Sequence, residues 1–298
     1  MRSNIFSKFS KPNLLRRIVK KIDSFFYYYP WIILLSKNRD YKKLDWQDFK
    51  PLLPPKDRFW ADPFIWEVDG VYYLFIEEYL YSTERGRISC LTLDENLNIV
   101  SNQVVLEKDY HLSYPFIFEH NKILYMIPET GENKGVEVYR CVSFPHEWVF
   151  EKNLIKNVEA YDTTLFYANG KWWLFANLAG EDGSTWDTLN LYYSDDPLSE
   201  DWIPHPLNPI IQDVSSARPG GRIFFDGNNI IRPSQNSLVR YGYSTKFNRV
   251  TTLSTEDYAE ICDFEFLPSS MKGYFATHTY NFNENLTLID AKKRRWKF

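Results

Sequence analysis

Asp62 and Asp162 carry the clearest chemical signal in this chain, because they occupy the same place in two copies of one repeat. Two carboxylates facing one cavity suit glycosyl chemistry, one as base or charge stabiliser and the other holding or tuning it. An Asp ahead of Pro63 or Thr163 can also simply cap a turn. Arg218, Arg222 and Arg232 crowd another copy, two of them around Pro219-Gly220-Gly221. Guanidinium forks match phosphate oxygens, so the trio is expected to clamp a phosphate, the rival being buried ion pairs with Asp62 and Asp162. Glu129, after Pro128, is either a catalytic acid or a hydrogen-bonding anchor. One of Glu77 and Glu78 is expected to face the cavity, and Glu78 is assigned to substrate. His111, Tyr114 and His278 suit hydroxyl or phosphate contacts, although a lone His is more often structural, and Gln235 and Asn236 suit the reading of sugar hydroxyls.

The elements that must position these groups recur about every fifty residues, the signature of a radial β-repeat. The first copy runs from Ala61-Asp62-Pro63-Phe64 through the Asp69-Gly70 turn to Val71-Tyr72-Tyr73-Leu74-Phe75. Ser113-Tyr114-Pro115-Phe116, Tyr161-Asp162-Thr163-Thr164 and Ala217-Arg218-Pro219 open the next three, and a weaker fifth opens at Cys262-Asp263. Alternating segments such as Arg87–Leu93 and Val136–Arg140 read as half-buried outer strands. The chain is therefore expected to be an all-β, five-bladed propeller over residues 45–298, with Asp62, Tyr114, Asp162, Arg218 and Asp263 meeting at one end of the channel. Asp45–Leu53 is expected to add an outer strand that closes the ring against the last blade. Trp148 and Trp202, at matching places in blades two and three, read as structural.

Composition limits the partners. Residues 1–21 hold seven Lys/Arg and residues 292–298 five more, with no acid in either; taking these twelve charges from the net −4 leaves −16 on residues 22–291. An acidic body with basic ends excludes nucleic acid and points to a local anionic surface. Leu14, Leu15, Ile18, Val19, Ile22, Phe25 and Phe26 recur at helical spacing among basic residues, which predicts a short amphipathic helical extension over residues 1–44. The apolar run Phe25–Leu35 is too short to span a bilayer and is expected in the headgroup layer, or else docked on the propeller. Three cysteines without metal-ligand spacing, and no secretory leader after Met1, lead to the expectation of a cytoplasmic protein, peripheral on the inner face of the membrane. No phosphate loop or dinucleotide fingerprint occurs, and Asp195-Asp196 reads as a solvated turn, so neither metal nor cofactor is expected.

The Ala61-Asp62-Pro63 strand, the Gly70-Val71-Tyr72-Tyr73-Leu74-Phe75 second strand and the five-fold period resemble the propellers of glycoside hydrolase family 43, over roughly residues 55–290. The resemblance implies that Asp62 is the general base and that Asp162 tunes the acid. The fourth blade departs from that family: where the acid stands in a Glu-Gly-Pro, this chain has Ala217-Arg218-Pro219. Phe59-Trp60-Ala61-Asp62-Pro63-Phe64, Tyr110–Pro115, Ile127–Thr130, Ala217–Arg222 and Ile231–Gln235 resemble a narrower group. These are the family-43-like proteins of bacterial surface-polysaccharide loci, similar to the N-terminal region of plant glucosamine inositolphosphorylceramide transferases. A sugar leaving as a phosphate or diphosphate needs little protonation, so the lost acid becomes dispensable while the base is still needed. The expectation is a glycosyltransferase moving a sugar from a phosphate-activated donor to a glycan or lipid-linked acceptor. The alternatives are a furanosidase-like hydrolase with Glu129 or Glu78 as displaced acid, and a non-catalytic carbohydrate-binding propeller.

Overall fold

The computed structural model describes residues 25–179 and 183–297. Five antiparallel sheets stand around a channel, so the five-bladed propeller is the observed fold. Blade one is Arg58–Val68, Val71–Leu80, Arg85–Leu93 and Ile99–Leu106, from the channel outward. Blade two is Ser113–His120, Ile123–Glu129, Gly135–Ser143 and Glu147–Lys156; blade three begins with Ala160–Ala168, Lys171–Leu178 and Thr188–Ser194. Blade four is Phe224–Asp226, Asn229–Asn236, Ser244–Leu253 and Tyr258–Phe266.

Turn chemistry sets the inner hairpins. Asp69-Gly70 and Asn169-Gly170 take positive φ at both positions (50° and 77°, 53° and 75°), the two-residue turn whose twist matches the flanking strands. Asn121-Lys122 does the same at 52° and 64°.

Blade five corrects the repeat. Tyr258–Phe266, which holds the expected fifth opening at Cys262-Asp263, is the outermost strand of blade four. Asp263 pairs with Lys42 at 2.9 Å and accepts from Tyr41, outside the carboxylate cluster described below. The inner edge of blade five is instead Tyr274–Ala276 and Tyr280–Phe282, followed outward by Thr287–Lys293, Trp31–Ser36 and Lys50–Leu52. The outer strand expected within Asp45–Leu53 is thus Lys50–Leu52, but the chain supplies two outer strands. Ile32, Ile33, Leu34 and Leu35 are at most 1% exposed, because a strand buried on both faces reads as a continuous apolar run. That part of the Phe25–Leu35 run is therefore a blade strand and does not lie in a headgroup layer. Tyr27–Tyr28 pairs with Arg295–Trp296 beyond it. Most of the helix expected over Leu14–Phe26 lies outside the described residues. Among the described residues, no helix is long and apolar enough to cross a membrane.

Aromatic rings fill the spaces between blades. Phe64 meets Tyr114 and Phe116 edge-on at 4.9 and 5.7 Å, and Trp148 and Trp202 are buried in the same core. Cys90 is buried and Cys262 is exposed.

Candidate active site

The inner strands of blades one to three each open on a bulge that turns one side chain into the channel. Asp62, Tyr114 and Asp162 have φ of 49°, 43° and 52°, and strand register slips between Ala61 and Phe64, Ser113 and Phe116, and Tyr161 and Thr164. Left-handed backbone at a non-Gly residue costs of order 1–3 kcal/mol and persists where the surroundings over-determine it. Arg218 and His278 take the corresponding places in blades four and five. A second ring comes from the neighbouring strands. Glu77 lies opposite Ala61, Glu129 opposite Ser113 and Asn177 opposite Tyr161, while the N–H groups of Gln235 and Asp290 bond the carbonyls of Arg218 and Thr279.

Two subclusters result. In one, Arg218 Nε donates to Asp162 at 2.6 Å and its NH2 group to Glu129 at 3.0 Å, while Gln235 donates to Asp162 at 2.7 Å. Its last nitrogen reaches the Thr185 carbonyl, and its plane lies 5.4 and 5.3 Å from the rings of Tyr161 and Tyr241. Burial opposes the Arg218 charge, but Asp162 outweighs it and holds its pKa well above the usual value. Burial also raises Glu129 well above the carboxylate range, against the pull of Arg218 and with Asp162 reinforcing it.

In the other subcluster Asp62 accepts from Thr279 Oγ1 at 2.6 Å and from the Tyr114 N–H at 3.3 Å. Burial lifts Asp62 to about 6, with His278 opposing and Asp162 and Asp290 reinforcing. His278 Nε2 lies 3.7 Å from Asp62, and Nδ1 lies 2.6 Å from Asp290. Its ring stacks on Trp31 at 4.1 Å and meets Tyr241 edge-on at 5.5 Å. Burial lowers the imidazole, but Asp290 and Asp62 outweigh it and raise the pKa above 6.5. Asp290 also accepts from the backbone of Asp62, His278 and Thr279, so it fixes three parts of the site at once. Ligand atoms of Asp62, His278 and Asp290 lie within 4.8 Å of one another, a spacing a cation can bridge, but the bonds around Asp290 already occupy both its oxygens.

The remaining candidates separate cleanly. Alternation turns Glu77, not Glu78, toward the mouth: Glu77 lies 3.4 Å from His111 and is raised well above its usual pKa by burial, then by Asp62. Glu78 points the other way, to Arg58, Arg87, Trp60 and Asn102. Burial would raise it, but those hydrogen bonds prevail and hold it at about 2. His111 sits on the rim, accepting from the Gly86 N–H, with its pKa lowered by burial. Tyr114 is fully buried, its hydroxyl 2.8 Å from both Thr164 Oγ1 and the Gly221 N–H, so its polar atom is engaged within the protein. Gly221 is required there, since its φ is 128° and a Cβ would fall 1.9 Å from the Tyr280 carbonyl oxygen. Arg222 lies further along the channel, donating to the Ile117 carbonyl, and burial lowers it to about 10. Arg232 is a buried ion pair with Glu260 at 2.6 Å. Asn236 bonds Glu265. The expected three-arginine clamp is therefore not assembled, since only Arg218 reaches the mouth and it is already paired.

Sequence reasoning missed Glu77 as the inward residue, and also Asn177, Asp290, Trp31 and Tyr241. One signal was present: a polar residue ends each second strand just after an apolar run. Both amide atoms of the buried Asn177 lack a hydrogen-bond partner among the described residues. A separate cleft of about 470 Å³, between Arg39–Lys42 and Phe224–Asp226, contains none of the clustered carboxylates.

Among solved structures, a family 117 glycoside hydrolase of Zobellia galactanivorans superposes with a TM-score of 0.56 at 13% identity, covering 89% of this chain and 90% of that one. The Bombyx mori family 32 β-fructofuranosidase gives 0.55 at 11%, covering 96% and 67%. At these identities the likeness shows the fold alone. Closer in sequence is glucosamine inositolphosphorylceramide transferase 1 of Oryza sativa subsp. japonica, 35% identical over 207 residues. The Arabidopsis thaliana protein of that name is 33% identical over 219 residues. These matches cover 68% and 72% of this chain but 28% of each relative, so the chain spans little more than a quarter of the plant proteins. The family described as "Glucosamine inositolphosphorylceramide transferase 1, N-terminal" matches residues 54–288, and the chain belongs to that family.

Proposed function

We propose that the chain is a glycosyltransferase that moves a sugar from a phosphate-activated donor to a glycan or lipid-linked acceptor. The observation that carries this reading is Asp62, poised near pH 6 at the channel mouth and backed by His278 and Asp290. The relatives' name, a transferase, supports the same class. In the proposed step the acceptor hydroxyl gives its proton to Asp62 and its oxygen bonds the anomeric carbon. The bond from that carbon to the phosphate oxygen breaks, and the phosphate leaves with the electron pair. The vacant amide of Asn177 is suited to a sugar hydroxyl. Incubation with phosphate-activated sugars and lipid-linked acceptors tests the reading; no product with any donor, or full activity in Asp62→Asn, sinks it.

One observation favours a second reading. The pKa of Glu129, raised by burial and by Asp162, supports its acting as the acid that a hydrolase needs. If it acts so, the protein releases sugar from aryl glycosides, and Glu129→Gln lowers that release about a hundredfold or more. A transferase with a phosphate leaving group shows neither effect.

The chain in this reading is peripheral on an anionic membrane, on the cytoplasmic side. Phe26 and Trp296 stack at 5.4 Å within the Tyr27–Tyr28 and Arg295–Trp296 ribbon, and Arg294 lies 3.6 Å over Tyr27. Aromatic rings among basic residues suit a headgroup layer. Phe26→Ser is expected to reduce co-sedimentation with phosphatidylserine vesicles several-fold; equal sedimentation of both proteins refutes the placement.

A further inference from the structure

Charged side chains around the channel mouth are nearly all matched: Arg218 by Asp162 and Glu129, His278 by Asp290, Arg58 and Arg87 by Glu78. Among the cations on the same end that fall outside this pattern are two on elements that flank His278. Lys292 and Arg240 make no ion pair among the described residues. Lys292 belongs to the second strand of blade five, two residues beyond Asp290 and therefore on the same face of that strand. It is half-buried, with Nζ 5.8 Å from the centre of the Trp31 ring on which His278 stacks. Arg240 lies in the loop after Asn229–Asn236, next to Tyr241, whose ring is the other wall against His278. The two charges are near enough that burial, and then Arg240, lowers the Lys292 pKa.

A half-buried ammonium beside a guanidinium, with no carboxylate to offset them, is repulsive until an anion bridges them. The pocket below holds Asp62, Glu77, Glu129, Asp162 and Asp290 against Arg218 and His278, so it repels a phosphate. An ammonium point charge and a planar fork are the pair suited to a doubly charged oxyanion. We propose that Lys292 and Arg240 form the subsite for the diphosphate or phosphate of the donor, on the rim beside His278. The sugar then points into the carboxylate pocket, and the anomeric carbon lies where the two meet. This assignment rests on the transferase reading and replaces the three-arginine clamp.

Isothermal titration of the whole chain with inorganic pyrophosphate tests it apart from catalysis. One site is expected, weakened about tenfold or more in Lys292→Gln and in Arg240→Gln, and unchanged in Arg222→Gln. Arg240 is exposed on a loop, so its variant folds even if the strand variant does not. No binding by the wild type, or equal binding by the Arg240 variant, overturns the subsite. If pyrophosphate binding depends on both residues and no activated sugar is transferred, the subsite stands and the transferase reading falls. Transfer that depends on Asp62 but not on Arg240 or Lys292 does the reverse.

Discussion

Asp62→Asn is expected to lower the rate of sugar transfer by about a thousandfold, the size of a lost general base. The fold should survive, because Asn is among the few side chains that tolerate left-handed backbone, and residue 62 has φ of 49°. The amide oxygen can still accept from the Tyr114 N–H while the amide NH2 donates to Thr279 Oγ1, so substrate binding changes little and the loss falls on kcat. The pH profile gives a second readout. Asp62 must ionise to accept a proton, so the wild-type rate rises with pH through about 6, and that limb disappears in the variant. Stability runs in the opposite direction. A carboxyl whose folded pKa is raised contributes stability that is fully present below its usual range and is lost as pH rises through about 6. His278, raised by Asp290 and Asp62, acts in the same sense, its contribution being lost above 6.5. The wild type should therefore become less stable to denaturant between pH 4 and pH 8, and Asp62→Asn should lose less. Unchanged transfer in the variant at every pH would remove Asp62 from the mechanism.

Arg218→Gln is expected to cost about 3–5 kcal/mol of stability, because it leaves Asp162 and Glu129 buried without their cation. For a domain of this size that is a fall of roughly 10 °C in Tm. Adding Asp162→Asn to it should recover part of the loss, since the second change removes the stranded charge. A donor clamp would behave otherwise: the donor KM would rise while Tm held. The geometry favours the first outcome, as all three guanidinium nitrogens are engaged within the protein. Arg218 is then a positioning residue that keeps Asp162 and Glu129 together.

How much of this was legible in the sequence varies with the range of the interaction. Asp69-Gly70 and Asn169-Gly170 announce their hairpins because the turn needs positive φ, a property of those two residues alone. Repetition of such local units is visible without a structure, and with it the propeller and the place of Asp62 and Asp162 at one mouth. Blade five was harder to place, since half of it comes from Trp31–Ser36 and Lys50–Leu52 at the other end of the chain. An apolar run buried in a strand has the same composition as one lying in lipid, which is why the Trp31–Leu35 part of that run could be read as membrane-facing.

The chemistry at the mouth depended still more on tertiary contacts. A one-residue alternation separates Glu77 from Glu78, and only the register with Ala61 decides which turns inward. Three arginines close in sequence went to three places, to Asp162, to the Ile117 carbonyl and to Glu260, because each found its partner on a different strand. The sequence by itself determined the five-fold fold and the two carboxylates, since both follow from local pattern repeated along the chain. Only the tertiary structure decided their company, because Asp290 and His278 reach Asp62 through burial and distance between segments far apart in the chain.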